Sequence, residues 1–184
     1  MKKLNLGCGQ KLMEGYVNVD NNPVSRPNVF HDLDKIPYPF LDNEFSTINM
    51  DHVLEHLADP IAVIQELYRI ADNGAIIEIR SPHFSCGFLH PGHKSFISTA
   101  LFDKFVGGVG DDYYGQCDFQ VISIKLSWLM RPRARVFYLQ VINKIINFFA
   151  NIKPGLTQRV WCWYVGGFEE IYFKVKVVKS QVNH

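Results

Sequence analysis

Four short apolar runs open this chain, and each stops on small or acidic residues. Lys3 to Leu6 leads into Gly7-Cys8-Gly9, Tyr16 to Val19 into Asp20, Asn28 to Phe30 into His31-Asp32-Leu33, and Thr47 to Met50 into Asp51. Runs of this kind read as strands covered on both faces of a parallel sheet, with polar groups gathered at their C-terminal ends. Asp59-Pro60 then opens a helix: Asp accepts from the first free backbone N–H groups and Pro fits the first helical position. Ile61, Ile64, Leu67, Tyr68 and Ala71 recur at helical spacing, and Asn73-Gly74 reads as a left-handed stop. Ala75 to Arg80 is a fifth strand, closed by Ser81-Pro82. The pattern predicts an α/β fold.

The second half changes character. Ile122, Ile124, Leu126 and Trp128 alternate with polar residues, as do Ile171, Phe173, Val175 and Val177. Strict period two predicts half-exposed antiparallel strands at a sheet edge. Between them lies too much chain for a plain loop, with a helical stretch from about 136 to 152. With no repeat, low-complexity tract or linker, residues 1–184 read as one domain with an insertion at about 129–168.

Composition narrows the function. A formal net charge of +1 leaves no basic footprint for a general nucleic-acid binder. Cys8, Cys86, Cys117 and Cys162 are far apart, which excludes a disulfide scaffold. Met1-Lys2-Lys3 runs straight into a strand without the apolar stretch of a signal peptide, and no apolar run is long enough to span a bilayer. A cytoplasmic protein is expected.

Two glycine clusters invite a nucleotide reading. In Leu4-Asn5-Leu6-Gly7-Cys8-Gly9 a strand meets a glycine turn, where backbone can approach a ligand closely. Asp20 ends the next strand, where a carboxylate can accept both hydroxyls of a ribose. A dinucleotide fingerprint would need a third glycine where Leu12 stands and an acid further on than Asp20, and no P-loop lysine follows either cluster. Gly107-Gly108-Val109-Gly110-Asp111-Asp112 carries two acids that would repel phosphate, so it reads as a loop.

LNLGCG, VNVD, HDLD, FLDNEFSTINMDHVLEHLADP and AIIEIRSP, in this order, resemble the successive motifs of class I S-adenosylmethionine-dependent methyltransferases, the small bacterial type 11 kind above all. The resemblance covers residues 3 to 82 well and the closing strands more loosely. It implies a Rossmann-like seven-stranded sheet, mostly parallel with an antiparallel edge. It also implies S-adenosylmethionine as cofactor. Gly7, Cys8 and Gly9 would lie under its methionine part, Asp20 would hold the ribose, and Asp32 and the Leu33 backbone would meet the adenine. Met50, Asp51 and His52 would line the methionine and sulfonium end. The family often has an acid where Asn5 stands, to hold the cofactor's ammonium group; Asn5 supplies only a neutral carbonyl there. Only Gly7 to Gly15 joins the first two strands, so the first helix is expected to be shortened or missing.

Methyl transfer needs an aligned acceptor and, for a hydroxyl, a base. Imidazole suits that work near neutral pH, and His83, His90 and His93 follow the fifth strand at the mouth of the expected site. His83 and His93 are the candidate bases. Three histidines can also bind zinc, but their spacing fits no familiar ligand pattern, and no metal is expected. Glu55 and His56 read as structural, and Cys8 as a small residue without the basic partner of a nucleophile.

The expected activity is methyl transfer to oxygen or nitrogen of a small-molecule or glycan-type acceptor, with polysaccharide biosynthesis as setting. The rival reading is a non-catalytic cofactor-binding module serving a partner protein or membrane. Arg131, Arg133 and Arg135 precede an amphipathic stretch in which Tyr138, Val141, Ile142, Ile145, Phe149 and Ile152 form one apolar face. That stretch packs on the sheet in place of the missing first helix, or meets anionic lipid as a peripheral membrane contact through 131–152.

Overall fold

The apolar runs become strands because their side chains have no other place to go: Leu4, Leu6, Val19, Ile48 and Met50 are fully buried. The computed structural model describes residues 1–87, 90–107, 115–130 and 137–179. Among them seven strands form one sheet: β1 (Lys2–Leu6), β2 (Val17–Asp20), β3 (Val29–Phe30), β4 (Phe45–Asp51), β5 (Ala71–Pro82), β6 (Phe119–Ser127) and β7 (Glu170–Val177), in the order β3-β2-β1-β4-β5-β7-β6. The first five are mutually parallel, and β7 is antiparallel to both β5 and β6. Strand β6 therefore runs with β5. Its end at Ser127 and the start of β7 at Glu170 lie at the sheet end where the parallel strands finish. The mostly parallel sheet with an antiparallel edge is as expected.

Helix α1 (Pro60–Ile70) starts as its sequence demands, with Asp59 Oδ1 accepting from the N–H groups of Ile61 and Ala62 at 3.0 Å each. Val63, Ile64, Leu67 and Ile70 are buried along it. Burying a side chain of this size stabilises by roughly 1.5–3 kcal/mol, which outweighs the weak helix propensity of Val and Ile. The helix does not end at Asn73-Gly74. Ala71 is already extended, and its N–H closes the last turn on the Leu67 carbonyl. Chain therefore passes from helix to β5 with no loop, and Gly74, at φ +81°, takes up an irregularity where the β4–β5 register shifts.

Two features of the second half differ from expectation. Ile122 is the extra residue of a bulge: Val121 pairs with Val175 and Ser123 with Lys174, leaving Ile122 exposed. A short helix α2 (Phe84–Gly87) follows β5, and the β6–β7 connection holds two helices, α3 (Phe137–Ala150) and α4 (Pro154–Tyr164), where one was expected. Helix α3 does not replace the first helix. It lies along β6, at the opposite edge of the sheet from β1 and β2, and presents asparagines to it. Leu126 N–H donates to Asn151 Oδ1 at 2.7 Å, Trp128 N–H to Asn147 Oδ1 at 2.7 Å, and Leu129 N–H to Asn143 Oδ1 at 3.1 Å. Residues 108–112 and 131–135, and with them most of the second glycine cluster and the three arginines, lie outside the described residues.

Candidate active site

No helix joins β1 to β2. Gly7 to Tyr16 crosses in turns, and side-chain amides hold it down. Asn49, Asn5 and Asn18 stand opposite one another on β4, β1 and β2. Asn49 Nδ2 donates to Asn5 Oδ1 at 3.0 Å, Asn5 Nδ2 to Asn18 Oδ1 at 2.9 Å, and Asn18 Nδ2 to Asn28 Oδ1 at 3.1 Å. The same amides serve the connection: Asn5 Nδ2 reaches the Lys11 carbonyl, Asn18 Nδ2 the carbonyls of Met13 and Tyr16, and Met13 N–H donates to Asn18 Oδ1. Backbone groups that a helix would have paired internally are satisfied by side chains instead. Asn5 borders a cavity, but its oxygen and nitrogen are both engaged in this ladder. Asn18 and Asn49 were not singled out from sequence.

Two cavities open at the ends of the parallel strands, and Gly7 borders both. The larger, of about 330 Å³, is lined among others by Asp20, Asp32, Leu33, His52, His56 and Lys94. The smaller, of about 210 Å³, lies against Asn5, Cys8, Asn49, Asp51 and Arg80. Asp20 Oδ2 accepts from the Gly9 N–H at 2.7 Å and Oδ1 from the Asn22 N–H at 2.8 Å. Backbone donors thus fix the carboxylate without neutralising it. Asp32 Oδ1 accepts from the Asp34 N–H at 3.2 Å, with Lys35 Nζ 3.8 Å away. Lys94 Nζ pairs with Asp34 Oδ2 at 2.8 Å, which together with the Ala58 N–H holds the Asp34 carboxyl below its usual range.

The loop carrying Asp32 and Leu33 is anchored from α1. Glu66 Oε1 accepts from the Tyr38 N–H at 2.6 Å and from Arg69 Nη2 at 2.6 Å, while Arg69 Nη1 reaches the Phe40 carbonyl at 3.0 Å. Tyr38 Oη in turn donates to the Leu33 carbonyl at 3.1 Å. Burial, and the carboxylates of Glu66, Asp34 and Asp32 around it, push that phenol far above its ordinary value, so it stays a donor.

At the end of β4, Met50 is fully buried in the core and its side chain reaches neither cavity. Asp51 faces the smaller cavity, with Lys11 Nζ on its Oδ2 at 2.9 Å. His52 adopts φ +55°, a left-handed backbone that costs a side-chain-bearing residue roughly 1–2 kcal/mol. The turn sets its ring between two carboxylates, with Nε2 3.2 Å from Glu170 Oε2 and Nδ1 3.5 Å from Glu55 Oε1. Glu170, then Glu55, hold the imidazole protonated to about pH 9 against the opposing effect of its burial. His52 is therefore a cation at neutral pH, outweighed by Glu170, Glu55 and Asp51, whose Oδ1 lies 3.8 Å from Nε2.

That pairing has a readable pH signature. A folded pKa above the unfolded value of about 6.5 gives stability that is fully present below about 6.5 and lost as pH rises through about 9. Wild-type protein should melt above His52→Gln near pH 6 and lose that advantage by about pH 10. A constant difference across the range would show that the ring is not held as a cation.

The two candidate bases fare differently. His83 is fully buried, with Nδ1 2.7 Å from Ser85 Oγ and Nε2 3.2 Å from Gln158 Oε1, and it borders neither cavity. Burial lowers its pKa to about 4 despite the Gln158 contact, so it is a neutral, poorly basic core residue instead of a loop histidine at the mouth. His93 packs its ring on His56 at 4.9 Å and stacks on His90 at 4.5 Å, and His56 lines the larger cavity. Glu55, His56 and His93 bring ligand-type atoms within 4.8 Å of one another. Glu55 is buried and accepts from Ser81 Oγ at 3.0 Å, and its carbonyl takes the N–H groups of Lys94 and Ser95, so it ties the His93 loop to the site. Burial and Asp20 raise the Cys8 thiol, which makes it no nucleophile.

The larger cavity is edged by Asp20 and Asp32, with Asp34 already paired to Lys94, so it offers carboxylate acceptors to the hydroxyl and amino groups of a ligand. That agrees with S-adenosylmethionine, which carries a ribose, an adenine amino group, an ammonium and a sulfonium but no phosphate.

Residues 4–79 match a family model described as a methyltransferase domain. No curated protein matches the chain. Among solved structures it is similar to a putative sarcosine dimethylglycine methyltransferase from Galdieria sulphuraria, at 16% identity and TM-score 0.58, over 95% of this chain and 77% of that one. It is similar to a SAM-dependent methyltransferase from Archaeoglobus fulgidus at 18% identity and TM-score 0.53, over 95% and 85%. It also resembles the [4+2]-cyclase SpnF at 13% identity and TM-score 0.56, over 97% and 76%. The match to a methyltransferase domain is carried by residues 4–79, and the structural likenesses carry the same fold over nearly the whole chain.

Proposed function

We propose that the protein transfers a methyl group to oxygen or nitrogen of a small-molecule or glycan-type acceptor, a sugar hydroxyl first among these. The cavity at the strand ends, with the Asp20 and Asp32 carboxylates on its edge beside a methyltransferase-domain match over residues 4–79, supports this most. The cofactor, when bound, supplies a methyl group already activated by its sulfonium. Asp20 would hold the ribose hydroxyls, Asp32 and the Leu33 backbone the adenine. Gly7 and Gly9 would give backbone close approach. Asp51, with the carboxylates around His52, would favour the positive end. The proposed base is His93, which borders neither cavity itself but packs on His56 in the lining of the larger one, while the Glu55 carbonyl fixes its neighbours Lys94 and Ser95.

Calorimetry with S-adenosylmethionine and its demethylated product tests the cofactor half, and no binding at millimolar ligand by folded protein would sink it. Transfer of labelled methyl to a panel of sugars and small amines tests the acceptor half. His93→Gln should lower turnover by roughly 10²–10⁴-fold with little change in cofactor affinity.

One observation favours a second reading, a cofactor-binding module without transferase activity: the Asn5 amide is consumed by the ladder where the family often has an acid. The cyclase neighbour adds that this fold is also found in a protein named for another reaction. Cofactor binding without methylation of any acceptor on the panel would favour this reading.

A further inference from the structure

Helix α3 is docked the wrong way round for a surface helix. Asn143, Asn147 and Asn151 recur every four residues and bond the backbone at the end of β6 and just past it, at Leu126, Trp128 and Leu129. Val141, Ile145, Phe148, Phe149 and Ile152 point away from the sheet and are exposed. A surface helix of a globular protein normally turns its apolar stripe inward. Helix α4 continues the outward face with Leu156, Val160 and Trp163, and a groove of about 440 Å³ between the helices, bordered by Ile145, Phe149 and Val160, makes the two one surface. A contiguous apolar patch on this scale marks an interaction site.

Charge selects the occupant. Residues 119–168 contain seven of the chain's 19 Lys and Arg and none of its 18 Asp and Glu. Lys125, Lys144, Lys153 and Arg159 lie among the described residues of that stretch. A second copy of the chain would bring two such basic segments together, which like-charge repulsion opposes. An anionic bilayer offers what the surface lacks, a hydrocarbon boundary beneath negative headgroups. The helices have 14 and 11 residues, and among the described residues no helix is long and apolar enough to cross a membrane.

We infer that the joined apolar face of α3 and α4 is a membrane-docking surface, seated in the headgroup layer of an anionic bilayer with its flanking cations against the phosphates. The inference rests on the helix pair alone and stands whether or not the protein transfers methyl groups.

Flotation of the full chain with phosphatidylcholine vesicles, with and without phosphatidylglycerol, tests it. Binding should appear with the anionic vesicles, fall at least about tenfold without phosphatidylglycerol, and weaken as salt rises. The Ile145→Glu/Phe149→Glu double variant should lose at least about tenfold in binding while its melting temperature stays near that of the wild type, because both side chains are exposed. Should that variant misfold, Trp163 reports instead: emission of the wild type should move to the blue on adding anionic vesicles, and the shift should shrink in Trp163→Phe. Failure of the wild type to float with anionic vesicles would overturn the inference. So would equal flotation of the folded double variant, or a dimer that the double variant dissolves without any lipid binding.

Discussion

Asp20→Ala should weaken S-adenosylmethionine binding by at least about 100-fold. The carboxylate would accept both ribose hydroxyls, and hydrogen bonds to a charged group contribute roughly 1.5–3 kcal/mol each. It also organises its own surroundings, because Gly9 N–H and Asn22 N–H both donate to it. The alanine variant leaves those donors aimed at empty space and frees the glycine turn. Asp20→Asn keeps one acceptor oxygen but offers an amide where a backbone N–H now donates, so it should fall between wild type and alanine. Calorimetry on folded protein reads both. Unchanged affinity in Asp20→Ala would mean that the ribose is held elsewhere.

The second large effect is expected at Gly7. Its backbone has φ +62°, and a Cβ built there would lie 2.2 Å from Val53 Cγ2 and 2.8 Å from Cγ1. Valine is stiff about its first side-chain torsion and cannot swing clear cheaply. Left-handed backbone adds roughly 1–2 kcal/mol for any residue with a Cβ. Together, Gly7→Ala should cost about 3 kcal/mol and lower the melting temperature by roughly 6–12 °C. Cofactor binding should go with it, because Gly7 borders both cavities. Adding Val53→Ala removes the colliding methyls, so the double variant should recover the steric share and keep the backbone share. A double-mutant cycle separates the two. A Gly7→Ala protein that melts with the wild type would contradict the close approach.

The parallel half of the sheet was legible because its first four strands announce themselves locally, in a few apolar residues with an acid or a glycine at or just past the end, and the fifth by an apolar run closed at Ser81-Pro82. Asp20 and Asp32, at or just past the ends of two of them, both line the larger cavity. What escaped were arrangements between distant segments. Asn49 lies 44 residues from Asn5, and Glu170 lies 118 from His52, and no local pattern connects them. His83 looked like a loop histidine because α4, which brings Gln158 to it, was not foreseen. Pro154-Gly155 at the head of α4 obscures its start, and its apolar residues are too mixed with polar ones to mark a face. The aromatics were hardest of all. Phe102, Phe119 and Phe173 pack edge to face at 5.4 Å in the core, whereas Phe148, Phe149 and Trp163 stand in the open. Composition counts both groups alike, and only the docking of α3 by its asparagines separates them.

The asparagine ladder also sets an order of events. A crossover helix can form early from its own neighbours, since its hydrogen bonds close over four residues. The link between β1 and β2 has no such local structure to begin from. Its carbonyls wait on amides from β1 and β2, which are themselves fixed by Asn49 on β4 and by Asn28 just ahead of β3. Closing loops of that length has to precede the reward for closing them. The turn that carries Gly7 and Gly9 should therefore be among the last parts of the sheet to order, and the two cavities that Gly7 borders should not exist before β4 is in place.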